Sequence, residues 1–200
     1  LDYLGHQLPT LEFDFIPGGS LASHINSNNW PSPANIERLA YGLLSGLHEL
    51  HDKEVIHRDI KPENIILRNG VYSDPVIVDL GLAKFSDAPP YTVYPNWLGT
   101  AAYMSPEQVR GEEAMKASDL WGVGIVLYIL TTRAHPFYGD YAHRLTREEA
   151  NDRLMAGGVT LPASVSSPVR DIILRFLSPE PYQRGRTARA LIELGGGSQL

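Results

Sequence analysis

The stretch Leu120 to Leu130 (LWGVGIVLYIL) is the longest apolar run in the chain, and it contains no charged side chain. A helix that is apolar on every side has no face to offer water and must be buried. Its 11 residues, with Gly122 and Gly124 among them, fall well short of the roughly 18 that a bilayer span requires. It therefore predicts a core helix of a globular domain. With 200 residues, 43% apolar and 20% charged, the chain has the size and composition to build one such domain.

The formal charge of -6 argues against a surface made for nucleic-acid backbones or anionic membranes. No cysteine is present, which excludes a disulfide framework, a thiolate metal cluster and a cysteine nucleophile. The expected location is cytoplasmic, and no membrane contact is expected from this segment. The chain opens on Leu1 without a basic start or signal-like apolar run, and is read as a piece of a longer protein.

Residues 1–16 predict a hairpin, LDYLGH and TLEFDFI joined through Gln7-Leu8-Pro9, stopped by Pro17-Gly18-Gly19. Ser20 predicts a cap for a short helix to about Asn26. Ser32-Pro33 opens a long one whose Ile36, Leu39, Ala40, Leu43, Leu44, Leu47 and Leu50 recur at helical spacing. From Val55 to Asp79 only short apolar pieces occur, separated by HRDIKPEN and by the turn signal Asn69-Gly70. Leu80 to Gly99 predicts a long irregular loop. Helices are expected to resume at Ser105-Pro106, at Ser118, at Thr146 with Glu149 completing a capping box, at Ser167-Pro168 and at Thr187.

Three side chains in His57-Arg58-Asp59-Ile60-Lys61-Pro62-Glu63-Asn64 and the later Asp79-Leu80-Gly81 suit phosphoryl transfer. Asp59 can accept a hydroxyl proton, and Asn64 and Asp79 offer oxygen ligands of the kind Mg²⁺ takes while bridging phosphates. Lys61 adds positive charge beside them. A lone His-x-Asp would be an ordinary loop. The ordered set followed by a second motif resembles the catalytic loop and metal-binding motif of eukaryotic-like Ser/Thr protein kinases. Leu80 stands where the family usually has Phe.

That resemblance implies an α+β fold: a mostly helical large lobe at 20–200, and a short β-hairpin remnant of the small lobe with the hinge at 1–19. It implies Asp59, Lys61 and Asn64 as catalytic residues, and Asn64 and Asp79 as metal ligands. Nucleotide contacts fall to Asp14, Ile16, Lys61, Glu63, Asn64, Ile66 and Asp79, with Phe13 at the gatekeeper position. GTAAYMSPE is similar to the end of a kinase activation segment. There Thr100 would shape the substrate pocket, and Glu107 would pair with Arg184 or Arg186. Arg58 would bind a phosphate on that segment, at Thr92 for preference, with Ser86, Tyr91 and Tyr94 as alternatives. Asp119 would tie down the catalytic loop, with His57 packing and bonding backbone. His135-Pro136-Phe137 is read as packing, and His48 and His51 as ordinary helix residues.

The implied activity is transfer of the γ-phosphoryl group of ATP, with Mg²⁺, to Ser/Thr hydroxyls of protein substrates. Asp-Ile-Lys-Pro-Glu-Asn resembles the Ser/Thr class. The alternatives are a pseudokinase or binding scaffold, and a small-molecule phosphotransferase, against which the Ser-Pro-Glu segment argues. No Gly-rich phosphate loop or Val-Ala-x-Lys strand lies within these residues. The 200-residue polypeptide by itself is therefore expected to transfer little or no phosphate and to expose Phe13, Ile66 and Leu80 as a sticky patch.

Overall fold

The structure is a computed structural model that describes residues 2–3, 6–7, 14–80, 84–85, 101–139 and 145–196. Its strands are β1 (Asp2–Tyr3), β2 (His6–Gln7), β3 (Val55–Ile56), β4 (Ile65–Leu67), β5 (Pro75–Ile77) and β6 (Lys84–Phe85). They form three two-stranded antiparallel sheets, β1 with β2, β3 with β6 and β4 with β5. The helices are α1 (Leu21–Asn26), α2 (Pro33–Asp52), α3 (Pro106–Arg110), α4 (Lys116–Thr132), α5 (Arg147–Ala156), α6 (Ser167–Phe176) and α7 (Thr187–Leu191).

Helix α4 is the axis of the domain. Every residue from Ser118 to Leu127 is buried, as is Leu130. Helix α2 crosses it on one side and α6 on another, and α7 packs back on α2. The inward face of α2 carries Leu39, Leu43, Leu44 and Leu47 at zero exposure, each contributing about 1.5–3 kcal/mol by leaving water. Gly122 is required for packing, because a Cβ there would stand 2.8 Å from the Ile60 Cβ. Only glycine lets the catalytic-loop segment lie this close to the central helix.

Local signals place α1 and α2 as expected. The Ser20 hydroxyl accepts from Ser23 N–H at 3.1 Å, and that of Ser32 from Asn35 N–H at 3.3 Å. Thr146 and Glu149 close a reciprocal capping box on α5. Other boundaries differ. Helix α4 starts two residues before Ser118, whose hydroxyl instead accepts from Met115 N–H at 3.0 Å. Helix α6 is capped at Ser166, one residue before Ser167, and α7 at Arg186, with Thr187 its first residue. At the N-terminus Asp2 pairs with Gln7 and Tyr3 with His6, whereas the expected turn residues Leu8-Pro9 and most of TLEFDFI lie outside the described residues. Within the expected long loop, Lys84–Phe85 pairs with Val55–Ile56, because the N-terminal side of the catalytic loop has a free strand edge there. Residues 14–17 have no regular structure, so the expected TLEFDFI strand does not extend through them.

Candidate active site

The catalytic-loop sequence begins where β3 leaves the end of α2, and it is fastened from beneath by α4. The Asp119 carboxylate, 1% exposed, accepts from His57 N–H at 2.9 Å and from Arg58 N–H at 2.7 Å. His51 Nε2 stands 2.8 Å from the same carboxylate. His51 is therefore not an ordinary helix residue. It follows Leu47 by four and Leu44 by seven, which puts it on the buried face of α2, and that spacing was the signal for its role. His48, by contrast, pairs with exposed Asp52 at 3.4 Å.

One left-handed residue then aims the loop. Arg58 is left-handed, with φ 73°, a conformation that costs a non-glycine residue on the order of 1–3 kcal/mol and persists only where surroundings enforce it. The Asp119 bonds enforce it on one side. On the other, Gln108 Nε2 donates to the Arg58 carbonyl at 2.9 Å. The His57 ring joins the two catalytic motifs: Nδ1 accepts from Asp59 N–H at 3.3 Å, so Nε2 carries the proton and donates to the Val78 carbonyl at 3.0 Å.

Asp59, 6% exposed, receives Lys61 Nζ at 2.6 Å and Asn64 Nδ2 at 3.0 Å, both on Oδ2. A second bond from Asn64 Nδ2 to the Asp59 carbonyl is 2.9 Å. Among the described residues the other oxygen, Oδ1, is buried without a hydrogen-bond partner.

Asn64 and Asp79 are brought together by sheet register. Ile65 pairs with Ile77, and Val78 N–H donates to the Asn64 carbonyl at 2.9 Å, so the two potential ligands lie at adjoining strand ends. Asp79 also has a positive φ, 68°, and is exposed. Asn64 uses its amide nitrogen on Asp59, which leaves the amide oxygen as the ligating end. No cluster of three or more His, Asp or Glu gathers among the described residues. The donor set is two oxygen side chains of the sort Mg²⁺ accepts while it keeps phosphate oxygens and water.

The segment leading to α1 runs beside β4. Leu67 N–H donates to the Gly19 carbonyl at 3.0 Å and Asn69 N–H to that of Pro17 at 2.7 Å, and Ser20 bridges to Ile66. Gly18 sits at φ 123°, and a Cβ on it would stand 2.0 Å from the Leu67 carbonyl oxygen. Asp14 is exposed, Ile16 and Ile66 are half-buried, and Phe15 and Leu80 are 88% and 49% exposed. Glu63 is exposed on the 3-10 turn Pro62–Asn64. Burial pushes the Tyr103 phenol well above its ordinary range, and the charge of Glu63 adds to it.

At the far end, Glu107 and Arg184 form a buried bidentate pair, 2.6 and 2.9 Å, at 1% and 0% exposure. Ser118 Oγ donates to Glu107 at 2.7 Å, and Arg184 also donates to the carbonyls of Ala117, Ser178 and Pro179. The guanidinium lies 4.9 Å over the Trp121 ring. Burial works against the charge on Glu107, but Arg184 and Ser118 hold its carboxyl below the ordinary range. Arg186 is exposed. His135 does more than pack: Nε2 donates to the Ala102 carbonyl at 2.7 Å while Nδ1 accepts from Phe137 and Tyr138 N–H. Phe13, Ser86, Tyr91, Thr92, Tyr94 and Thr100 lie outside the described residues.

Comparison with known proteins gives the family. The profile of the protein kinase domain matches residues 6–193. The chain belongs to the protein kinase family. It is 31% identical over 179 residues to the serine/threonine-protein kinase PkaA of Streptomyces coelicolor, covering 89% of this chain and 32% of that protein. It is 34% identical over 188 residues to the serine/threonine-protein kinase pkn3 of Myxococcus xanthus, covering 90% and 34%. To a calcium and calcium/calmodulin-dependent serine/threonine-protein kinase of Oryza sativa subsp. japonica it is 32% identical over 180 residues, covering 87% and 33%. The kinase chain thus spans about a third of the length of these relatives. No helix among its described residues is long and apolar enough to cross a membrane.

Proposed function

We propose that this chain carries the catalytic half of a protein kinase that transfers the γ-phosphoryl group of ATP to Ser or Thr hydroxyls of protein substrates. The observation that carries this reading is the Asp59 carboxylate: one oxygen is held by Lys61 and Asn64, and the other is buried without a hydrogen-bond partner among the described residues. Asp59 takes the proton as the hydroxyl attacks, and Lys61 supports the charge that develops beside it. Asn64 and Asp79 would hold Mg²⁺ on the phosphates, and the ion would supply charge neutralisation there. The backbone of Asp14 and Ile16 would face adenine with Ile66 beneath it. Residues 1–19 are assigned to the small lobe and hinge and 20–200 to the large lobe, a division supported by the way residues 17–20 run against β4 before α1 begins. A cytoplasmic setting suits ATP as the donor.

The test is phosphoryl transfer to a Ser/Thr peptide pool by this chain joined at Leu1 to a kinase small lobe. Asp59→Asn should lower turnover about 10²–10⁴-fold with the melting temperature kept. Asp79→Asn should also raise the Mg²⁺ concentration needed for half-maximal rate. Turnover of Asp59→Asn near that of the unsubstituted protein would remove the assignment.

A further inference from the structure

Helix α3 is hydrogen-bonded to the loop through the side chain of Gln108, which bonds at both ends of its amide. Gln108 is 3% exposed. Its Oε1 accepts from Ser105 N–H at 3.1 Å and from Ser105 Oγ at 3.0 Å, which closes the capping box of α3. Its Nε2 points the opposite way and donates to the Arg58 carbonyl. That carbonyl and the Asp59 N–H belong to one peptide unit, so the unit preceding Asp59 is held at both ends, by Gln108 and by His57 Nδ1. The same imidazole continues to the Val78 carbonyl, next to Asp79.

We infer that Gln108 is a positioning residue that couples the seating of the Ser105–Glu107 segment to the aim of Asp59, by fixing the peptide plane between left-handed Arg58 and Asp59. The inference rests on the proposed kinase reading for its consequence, though not for its geometry. Rotation of that plane would turn the Arg58 carbonyl into a buried space without a donor and swing the Asp59 Cα with it. Release of α3, whose own Glu107 is locked to Arg184, would take the Gln108 donor away. A serine cap alone would need only Oε1. The donation from Nε2 is the part that capping does not explain.

The test uses Gln108→Met and Gln108→Glu, read by amide exchange at Asp59 in the 200-residue chain and by turnover in the protein joined to a small lobe. Gln108→Met removes the donor and should speed Asp59 exchange and lower kcat, each about tenfold, with KM for ATP unchanged. Gln108→Glu keeps the acceptor for Ser105 but turns a carboxylate oxygen toward the Arg58 carbonyl. It should show the same losses at pH 8 and recover toward pH 6, as the introduced buried carboxyl takes a proton and donates in place of Nε2. The titratable and charged groups around that position include Arg58, Asp59 and Tyr103, His57 and Asp119 on the loop backbone, and Glu107 with its partner Arg184, and the unsubstituted protein measured at each pH removes their contribution. Normal exchange and turnover in Gln108→Met, or a loss in Gln108→Glu that is independent of pH, would overturn the inference. If every variant and the parent fail to transfer phosphate while exchange behaves as described, the kinase reading falls and the positioning role stands.

Discussion

The two flanks of the site are built by different means. The flank formed by α3, α4 and the catalytic loop is held by buried polar side chains: Asp119 on two backbone N–H groups, Gln108 on a carbonyl, Glu107 on Arg184 and His135 on Ala102. The flank formed by residues 14–20 and β4 is held by backbone on backbone, with Gly18 pressed against Leu67 and the large side chain of Phe15 turned to solvent. The first arrangement depends on which side chains are present. The second depends on where side chains are missing. Truncations should therefore damage the first flank above all, and added methyl groups the second, Gly122 being the position where the first flank also excludes a Cβ.

The largest effect is expected at the buried ion pair. Arg184→Met leaves the Glu107 carboxylate without its partner and should cost about 3–5 kcal/mol in urea denaturation at pH 7. Because the folded carboxyl titrates below its ordinary value of 4.5, the contribution of Glu107 is present above that pH and lost as pH falls through the folded value. The loss caused by Arg184→Met should shrink correspondingly in acid, and a loss below 1 kcal/mol at pH 7 would show that the pair is dispensable.

A pH-dependent effect of roughly 3 kcal/mol should follow from His135. Burial lowers its imidazole from 6.5 to about 4, against the opposing bond to Ala102. The unfolded chain thus binds the proton first, so stability contributed by the neutral ring is full above pH 6.5, declines between 6.5 and about 4, and levels off below. Denaturation curves for His135→Asn should lack that slope, and an unchanged slope would relocate it to another group.

Gly18→Ala tests the opposite flank. The positive φ and the approach to the Leu67 carbonyl should cost about 1–3 kcal/mol locally. Exchange should quicken at the Leu67 and Asn69 amides and stay slow at His57 and Arg58. Equal loosening of both sets would mean that the flanks are one cooperative unit. The smallest effect is expected for Phe15→Ala, within about 0.5 kcal/mol, because its side chain buries little surface in the described structure. A larger loss would reveal packing on that face.

What was legible in the sequence was local or ordered along the chain. The caps at Ser20, Ser32 and Thr146 act within three residues, and the apolar period of α2 within a few turns, so both could be read before any contact was known. Leu120 to Leu130 declared a buried helix because no rotation of it presents a polar face. The order Asp59, Lys61, Asn64, Asp79, with its neighbours, carried the resemblance to the protein kinase family, and the family is what the match over residues 6–193 shows.

Only the tertiary structure decided which distant groups meet. Arg184 and Arg186 carry the same charge two residues apart, and burial against Trp121 beside Glu107, 77 positions away, chose between them. His51 and Asp119 are 68 positions apart, and Gln108 and Arg58 are 50. Helical spacing placed His51 on the face of Leu44 and Leu47, and Ser105-Pro106 marked the start of α3, but neither pattern named a partner. Helix α4 begins before Ser118 for the same kind of reason: its hydroxyl is engaged by Met115 N–H and Glu107, the second a neighbour supplied by the fold. Propensity and capping act over one turn of chain, whereas a buried polar group is satisfied by whatever donor or acceptor the packed fold brings to it.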